Sequence, residues 1–277
     1  MANPADGSRP AGHPGAPGGV RVARPWVVKI GGRLSEDSAC LERVARAAAA
    51  HPAPLVIVHG GGDAVSRLQA ALGSPAVFKD GRRVTSADDL RVVEMVLSGE
   101  RNKEIVRSLE RAGRPAWGLS GCDGGLLRAR PLAGLGRAGE PAEVRAATLR
   151  LLLFEGYTPV VSPVSLDASG QPLNVNADEA ASAIATALGA ARLLLLSDVP
   201  GVRDGASWRE EIASHEVESL IAAGGITRGM IPKLRAGAVA ARNGVGEVRI
   251  ACFDEGAAAF AAIGGTRIRA VTSPAST

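Results

Sequence analysis

The chain predicts an α/β fold, a three-layer α/β/α sandwich with a mostly parallel central sheet. Three observations lead there. Short apolar runs end at glycine or turn residues, amphipathic stretches lie between them, and the two patterns alternate along most of the 277 residues. Strands buried on both faces of a parallel sheet read as continuous apolar runs of this kind.

Taken in order, Trp26 to Ile30 is the first run, and it stops at Gly31-Gly32. Residues 37–50 have helical spacing. Residues 55–58 form the second run, ending at His59 and Gly60 to Gly62, and residues 63–72 read as the next helix. Two further helices are expected over 87–97 and 101–112, then a strand over 116–119 ending at Ser120-Gly121. Residues 142–154 read as a helix and 159–164 as a strand, with a hairpin turn at Asp167 to Gly170. A helix over 178–188 precedes the run 193–196, which ends at Ser197-Asp198. Helices over 215–222 and 230–243 and a strand over 248–252 complete the pattern. No solenoid repeat is visible. In open sheets of this type ligands sit at the carboxyl ends of the strands. The glycine clusters fall there.

Composition narrows the function. Aromatic residues are only 3% of the chain, too few for base stacking, and the net charge of +4 is dispersed, with no basic run. Nucleic-acid and membrane partners are therefore not expected, and no apolar stretch reaches the ~20 residues that span a bilayer. Cys40, Cys122 and Cys252 are scattered and odd in number, which suits a reducing cytoplasm rather than a disulfide framework. They show no metal spacing, so no protein-held metal is expected. Residues 1–24, rich in Gly, Pro and Ala, lack an apolar signal core and are expected to be a disordered leader.

Only four of the 32 basic residues are lysines: Lys29, Lys79, Lys103 and Lys233. Lysine is a compact point charge and arginine a planar fork, so a lysine in an arginine-rich chain can mark a site that arginine cannot serve. Lys29 ends the first strand beside Gly31-Gly32, where close backbone approach makes an anion nest. Gly60 to Gly62 precede a helix and form a second cradle; His59 reads as a structural turn residue. Asp178 follows Asn174-Val-Asn at a helix start, where it is either a cap or a carboxylate that orients the lysines. Lys233 lies near the start of a late helix, against the helix dipole, a place better tolerated beside an anion. Walker A and protein-kinase motifs are absent, as is the dinucleotide fingerprint.

Eight blocks together resemble the amino-acid kinase family, and within it the acetylglutamate kinases: VKIGG (28–32), VIVHGGG (56–62), DGRRVT (80–85), VVEMVLSGERNKEIV (92–106), GLSGCDGG (118–125), LNVNADEAASAIA (173–185), LLLSDVPGV (194–202) and GGITRGMIPKLRAG (224–237). The resemblance implies an N-terminal lobe, residues 25–190, that binds an acyl amino acid, and a C-terminal lobe, 191–277, that binds ATP with Mg²⁺ held mainly through the nucleotide. It implies catalytic roles for Lys29, Lys233 and Asp178. Gly61, Gly62, Arg83 and Asn174 correspond to the substrate site. Gly31, Gly32, Asp198, Val199, Pro200, Gly201, Val202, Arg203, Gly225, Ile226 and Thr227 correspond to the nucleotide site. The implied reaction is transfer of the ATP γ-phosphoryl group to the side-chain carboxylate of N-acetyl-L-glutamate, in arginine biosynthesis. Cys122 departs from the lysine that many relatives have there. The leader does not resemble the amphipathic helix of arginine-inhibited members, so a homodimer is expected, and no residue argues for a PII-type regulator. The rivals are a kinase of carrier-linked aminoadipate, for which Arg128 and Arg130 would form a basic rim, and a non-catalytic amino-acid sensor. NVNAD and GGITRGMIPK disfavour the first, and the intact Lys29, Lys233 and Asp178 disfavour the second.

Overall fold

The computed structural model describes residues 23–79, 81–205, 207–226, 229–253, 260 and 264–270. Most of the expected leader, and Thr227, lie outside them. In chain order the elements are β1 (Trp26–Ile30), α1 (Gly32–Glu36), α2 (Ser38–Ala50), β2 (Leu55–His59), α3 (Gly62–Ala71), β3 (Val77–Lys79), β4 (Arg82–Val84) and α4 (Ala87–Val93). A π-helical segment, Glu94–Arg101, leads into α5 (Asn102–Arg111). Then follow β5 (Ala116–Ser120), β6 (Leu127–Pro131), β7 (Ala138–Val144), α6 (Ala147–Phe154), β8 (Thr158–Ser162), β9 (Val164–Leu166), β10 (Pro172–Val175) and α7 (Ala177–Leu188). The chain closes with β11 (Arg192–Ser197), β12 (Val202–Asp204), β13 (Ser207–Arg209), β14 (Glu211–Ala213), α8 (Val217–Ala222), α9 (Met230–Arg242), β15 (Glu247–Cys252) and β16 (Thr266–Arg269).

The main sheet has the order β14-β16-β15-β11-β1-β2-β8-β5. All its pairings are parallel except β15 with β16. Successive side chains of a strand point to opposite faces, and here each face has its own core. Val27, Val56, Val58, Leu193 and Leu195 pack with α7 and α9 residues such as Ile184 and Leu234. Val28, Ile30, Ile57, Leu194 and Leu196 pack on the other side with Leu41 and Val44 of α2 and Ile105 and Leu109 of α5. The expected three layers are therefore present. Gly237 brings α9 close to the sheet: a Cβ there would lie 2.5 Å from Ile268 Cδ1.

Three local expectations are corrected. The helix expected over 142–154 begins only at Ala147, because 138–144 pair as β7 in a small closed barrel of order β10-β7-β6-β9. The strand expected over 159–164 divides at Pro163 into β8 and β9, as suits a residue with no N–H to donate to a ladder. The helices expected over 87–97 and 101–112 are one continuous run, joined through the π-helical turns.

Candidate active site

Lys29 is the fourth residue of β1, paired with Val58 on one side and Leu195 on the other. Two residues on from Val27, it points to the α7/α9 face. Asp178 stands in the first turn of α7, but it is not the cap. Asn176 accepts from the N–H groups of Asp178 and Glu179 and fills that role. The Asp178 side chain is thereby free to turn inward. Its Oδ1 lies 3.0 Å from Lys29 Nζ and 2.8 Å from Lys233 Nζ, the latter rising from the fourth position of α9. The three residues are 7%, 7% and 6% exposed for Lys29, Asp178 and Lys233.

Two cations thus share one carboxylate oxygen, with net charge +1, out of bulk water. Burial pushes the Lys29 ammonium down to about 8; Asp178 opposes this and Lys233 adds to it. For Asp178 burial alone would raise the pKa, but Lys233 and Lys29 outweigh it and hold the carboxyl well below the usual range.

Two cavities meet at this cluster. One of about 290 Å³ is lined by Lys29, Gly61, Arg83, Asn174 and Asp178. The other, about 500 Å³, is lined by Gly31, Ser197, Asp198, Val199, Met230 and Lys233. Gly32, Gly62 and Asp63 border both. The two glycine loops touch, since a Cβ on Gly32 would sit 3.4 Å from Gly62 N. Gly61, at φ +150°, would meet Leu97 Cδ2 at 2.8 Å with any side chain, so the loop needs glycine there for both reasons.

In the smaller cavity Arg83 lies 4.8 Å from the Phe78 ring centre, and Asn174 Nδ2 donates to Thr85 Oγ1 at 3.1 Å. Of the expected nucleotide residues, Gly31, Gly32, Asp198 and Val199 line the larger cavity. Pro200 and Gly201 lead away from it into β12, where Val202 is buried in the core, its N–H donating to Thr266 Oγ1 at 2.8 Å, and Arg203 lies 5.9 Å from the Trp208 ring centre. Gly225 precedes Ile226, which packs against the α7/α9 core.

His59 is structural, as the sequence reading has it, and Lys103, which that reading leaves without a role, joins the same network. His59 is fully buried below the glycine loop. Its Nδ1 faces the Gly60 carbonyl at 3.0 Å and must carry the proton, so Nε2 accepts from Asn102 Nδ2 at 3.2 Å. Burial keeps this ring neutral, with its pKa lowered to about 4. Lys103, exposed, donates to Asn102 Oδ1 at 3.0 Å and to Gly118 O at 3.3 Å. Cys122 is partly buried against Val164 O at 3.6 Å, and burial raises its thiol to about 11. Arg128 is tied to Asp167 O and Arg130 to Glu140.

A family model described as the amino acid kinase family matches residues 24–252. The chain belongs to the amino acid kinase family. Among relatives, the acetylglutamate kinase of Geobacillus kaustophilus is 45% identical over 233 residues, 83% of this chain and 90% of the relative. That of Rubrobacter xylanophilus is 43% identical over 242 residues, 87% of this chain and 94% of the relative. A solved structure from Streptococcus mutans superposes with a TM-score of 0.76 at 30% identity, covering 88% of this chain and 98% of the other. Giardia carbamate kinase, at 16% identity and a TM-score of 0.68 over 90% of this chain and 99% of its own, shares the fold. As an amino acid kinase the chain is an enzyme, and ATP use comes with the family. Among the described residues no helix is long and apolar enough to cross a membrane.

Proposed function

We propose that the enzyme transfers the γ-phosphoryl group of ATP to the side-chain carboxylate of N-acetyl-L-glutamate, giving N-acetylglutamyl 5-phosphate for arginine biosynthesis. The observation that supports it best is the pair of buried lysines on one Asp178 oxygen, where the two cavities meet. The acceptor carboxylate is already ionised at neutral pH, with a reference pKa of ~4.3. Its oxygen forms a bond to the γ-phosphorus, the β–γ P–O bond breaks, and ADP leaves with the electron pair. No proton moves, so no general base is needed, in keeping with a His59 whose two ring nitrogens are both engaged.

What remains is to hold two anions in line and to neutralise the charge that builds between them. In this reading Lys29 and Lys233 supply the positive charge. Asp178 holds both in place and remains an anion itself. Glycine N–H groups of the loops at Gly31-Gly32 and Gly61-Gly62 cradle phosphoryl oxygens. Arg83, whose Nη2 hydrogens go to Gly62 O and Ser66 Oγ, takes the α-carboxylate through its charge and its remaining N–H groups, and Asn174 takes the acetamido group. In this reading residues 25–190 serve the acyl amino acid, and 191–277 serve ATP through Asp198 and Val199 on the wall of the larger cavity. Mg²⁺ fits the larger cavity: Asp63 and Asp198 are hard oxygen donors on its wall, and nucleotide phosphates would be the main ligands. The ion would neutralise phosphate charge.

An ATP-dependent hydroxamate assay, which traps acyl phosphates, tests the substrate. Hydroxamate should form with N-acetyl-L-glutamate, and its absence would sink the proposal. The charged form of Lys29 is the one required, and it is lost as pH rises through about 8. The kcat/KM of the free enzyme should therefore be level below that pH and fall above it. A profile still level at about pH 9.5 would remove Lys29 from the mechanism.

We place the enzyme in the cytoplasm as a homodimer. Trp117 and Tyr157 favour the dimer: they are half exposed at the β5 edge of the sheet, with ring centres 5.6 Å apart. Leu151 and Phe154 are exposed on α6 just before Tyr157. Sedimentation should return twice the 28.2 kDa chain mass, and Trp117→Glu should return the single mass; a monomeric parent would refute the assembly.

A further inference from the structure

Arg83 is held from behind by one stripe of a helix. Its Nη2 donates to Gly62 O at 2.8 Å and Ser66 Oγ at 2.8 Å, and its Nη1 donates to Gln69 Oε1. Gly62, Ser66 and Gln69 stand at i, i+4 and i+7 of α3, the helix that starts at the glycine loop. Gln69 lines neither cavity and is 1% exposed. Its Nε2 donates to Asp89 Oδ1 at 2.5 Å. Asp89 also accepts from Ser86 N at 3.0 Å, Ser86 Oγ at 2.7 Å and Ser74 Oγ at 3.2 Å, closing the capping box of α4.

The orientation of the Gln69 amide is dictated from both sides. A guanidinium only donates and a carboxylate only accepts, so Oε1 must face Arg83 and Nε2 must face Asp89. The capping box anchors Asp89, Asp89 anchors Gln69, and Gln69 fixes one of the two terminal nitrogens of Arg83. The other Arg83 neighbours, Ser66, Gly62 O and the Phe78 face, hold Nη2 and the plane of the guanidinium, and Gln69 is the partner of Nη1.

Resting on the acyl amino acid reading above, we propose that Gln69, backed by Asp89, is a positioning residue that aims Arg83 and so sets the preference for an acceptor with a second carboxylate on its α-carbon. Gln69 and Asp89 themselves line neither cavity, and Arg83 lines only the smaller one, so loss of the Gln69 link should act mainly on the acyl amino acid.

The test compares N-acetyl-L-glutamate with 4-acetamidobutyrate, which has the same chain without the α-carboxylate. In Gln69→Leu the KM for N-acetyl-L-glutamate should rise about tenfold or more, as for loss of a hydrogen bond to a charged group. The KM for ATP and the kcat/KM for 4-acetamidobutyrate should hold within about twofold. Gln69→Glu alone sets two carboxylates face to face and should also raise the KM for N-acetyl-L-glutamate. Gln69→Glu combined with Asp89→Asn restores a donor facing an acceptor at each link and should recover most of the loss. An unchanged KM for N-acetyl-L-glutamate, equal losses on both acceptors, or no recovery in the double exchange would overturn the proposal. If Gln69→Leu does not fold, the single and double exchanges make the same comparison. If the parent enzyme leaves N-acetyl-L-glutamate unphosphorylated, the substrate reading fails, and crystal structures of the parent and Gln69→Leu decide the positioning role by themselves. Arg83 unmoved between them refutes it; Arg83 displaced supports it.

Discussion

Lys29→Met should remove turnover while leaving the protein at least as stable as the parent. The catalytic half of this expectation follows from the mechanism: a buried cation aimed at the transferring group supplies stabilisation that water cannot, and its loss should cost about 10³-fold in kcat. The KM for ATP should change little, because Lys29 lines the cavity proposed for the acyl amino acid, whereas Lys233 lines the other. The stability half follows from burial, which dominates the Lys29 environment and lowers its pKa from 10.5 to about 8. The unfolded chain thus holds that proton more tightly than the folded one. The cost to folding is full below about pH 8 and is relieved as pH rises toward 10.5. Methionine fills similar space without a charge and leaves Asp178 paired with Lys233. Urea midpoints should favour the variant at pH 7, and the gap should narrow at alkaline pH. Near-normal kcat would exclude Lys29 as a catalytic residue, and a large fall in midpoint would exclude the burial argument.

Asp178→Asn should do the opposite to stability and the same to activity. The amide keeps the shape but leaves two buried ammonium groups without their shared anion. Breaking a buried ion pair in this way costs about 3–5 kcal/mol. Turnover should also fall by about 10³-fold, since both cations lose their aim. Lys29 should give up its proton more readily still, because Asp178 is the group that raises its pKa. An anion supplied from outside should partly substitute. Sulfate or ATP should therefore raise the melting temperature of Asp178→Asn by more than that of the parent. Equal shifts would mean that Asp178 does not balance the two lysines.

The strands that were legible from the residues share one property: their burial is two-sided and apolar. Runs such as Leu55 to Val58 and Leu193 to Leu196 suit buried parallel strands, and they are central strands. β3, β4, β6 and β7 were not legible. Sequences such as Arg82-Arg-Val and Ala138-Gly-Glu-Pro-Ala-Glu-Val carry no apolar period, and pairing partners far along the chain decide their state. Ser98-Gly99 looked like a helix end. The π-helical turns carry the chain through it and lay Leu97 and Arg101 against Gly61.

The site divides the same way. Lysine scarcity and the glycine clusters marked Lys29 and Lys233 as candidates, the resemblance to the amino-acid kinases added Asp178, and the structure brings the three together. Asp178 was ambiguous between cap and ion-pair partner until Asn176 was seen to hold the cap. Gln69, Asp89 and Asn102 left no trace in the pattern. Each acts through another side chain, and contacts of that kind have no fixed spacing along a sequence.

Lys29 also has a meaning for how the chain acquires its shape. It lies on the central strand β1, and side chains there alternate between two cores. Slipping β1 by one residue against β2 and β11 would thrust the ammonium among Leu41, Val44 and Ile105, with no carboxylate to meet it. The charge proposed to serve the reaction is therefore also a register mark. Misaligned arrangements of the sheet carry an uncompensated buried ion, and the native register is favoured over them by the cost of that ion.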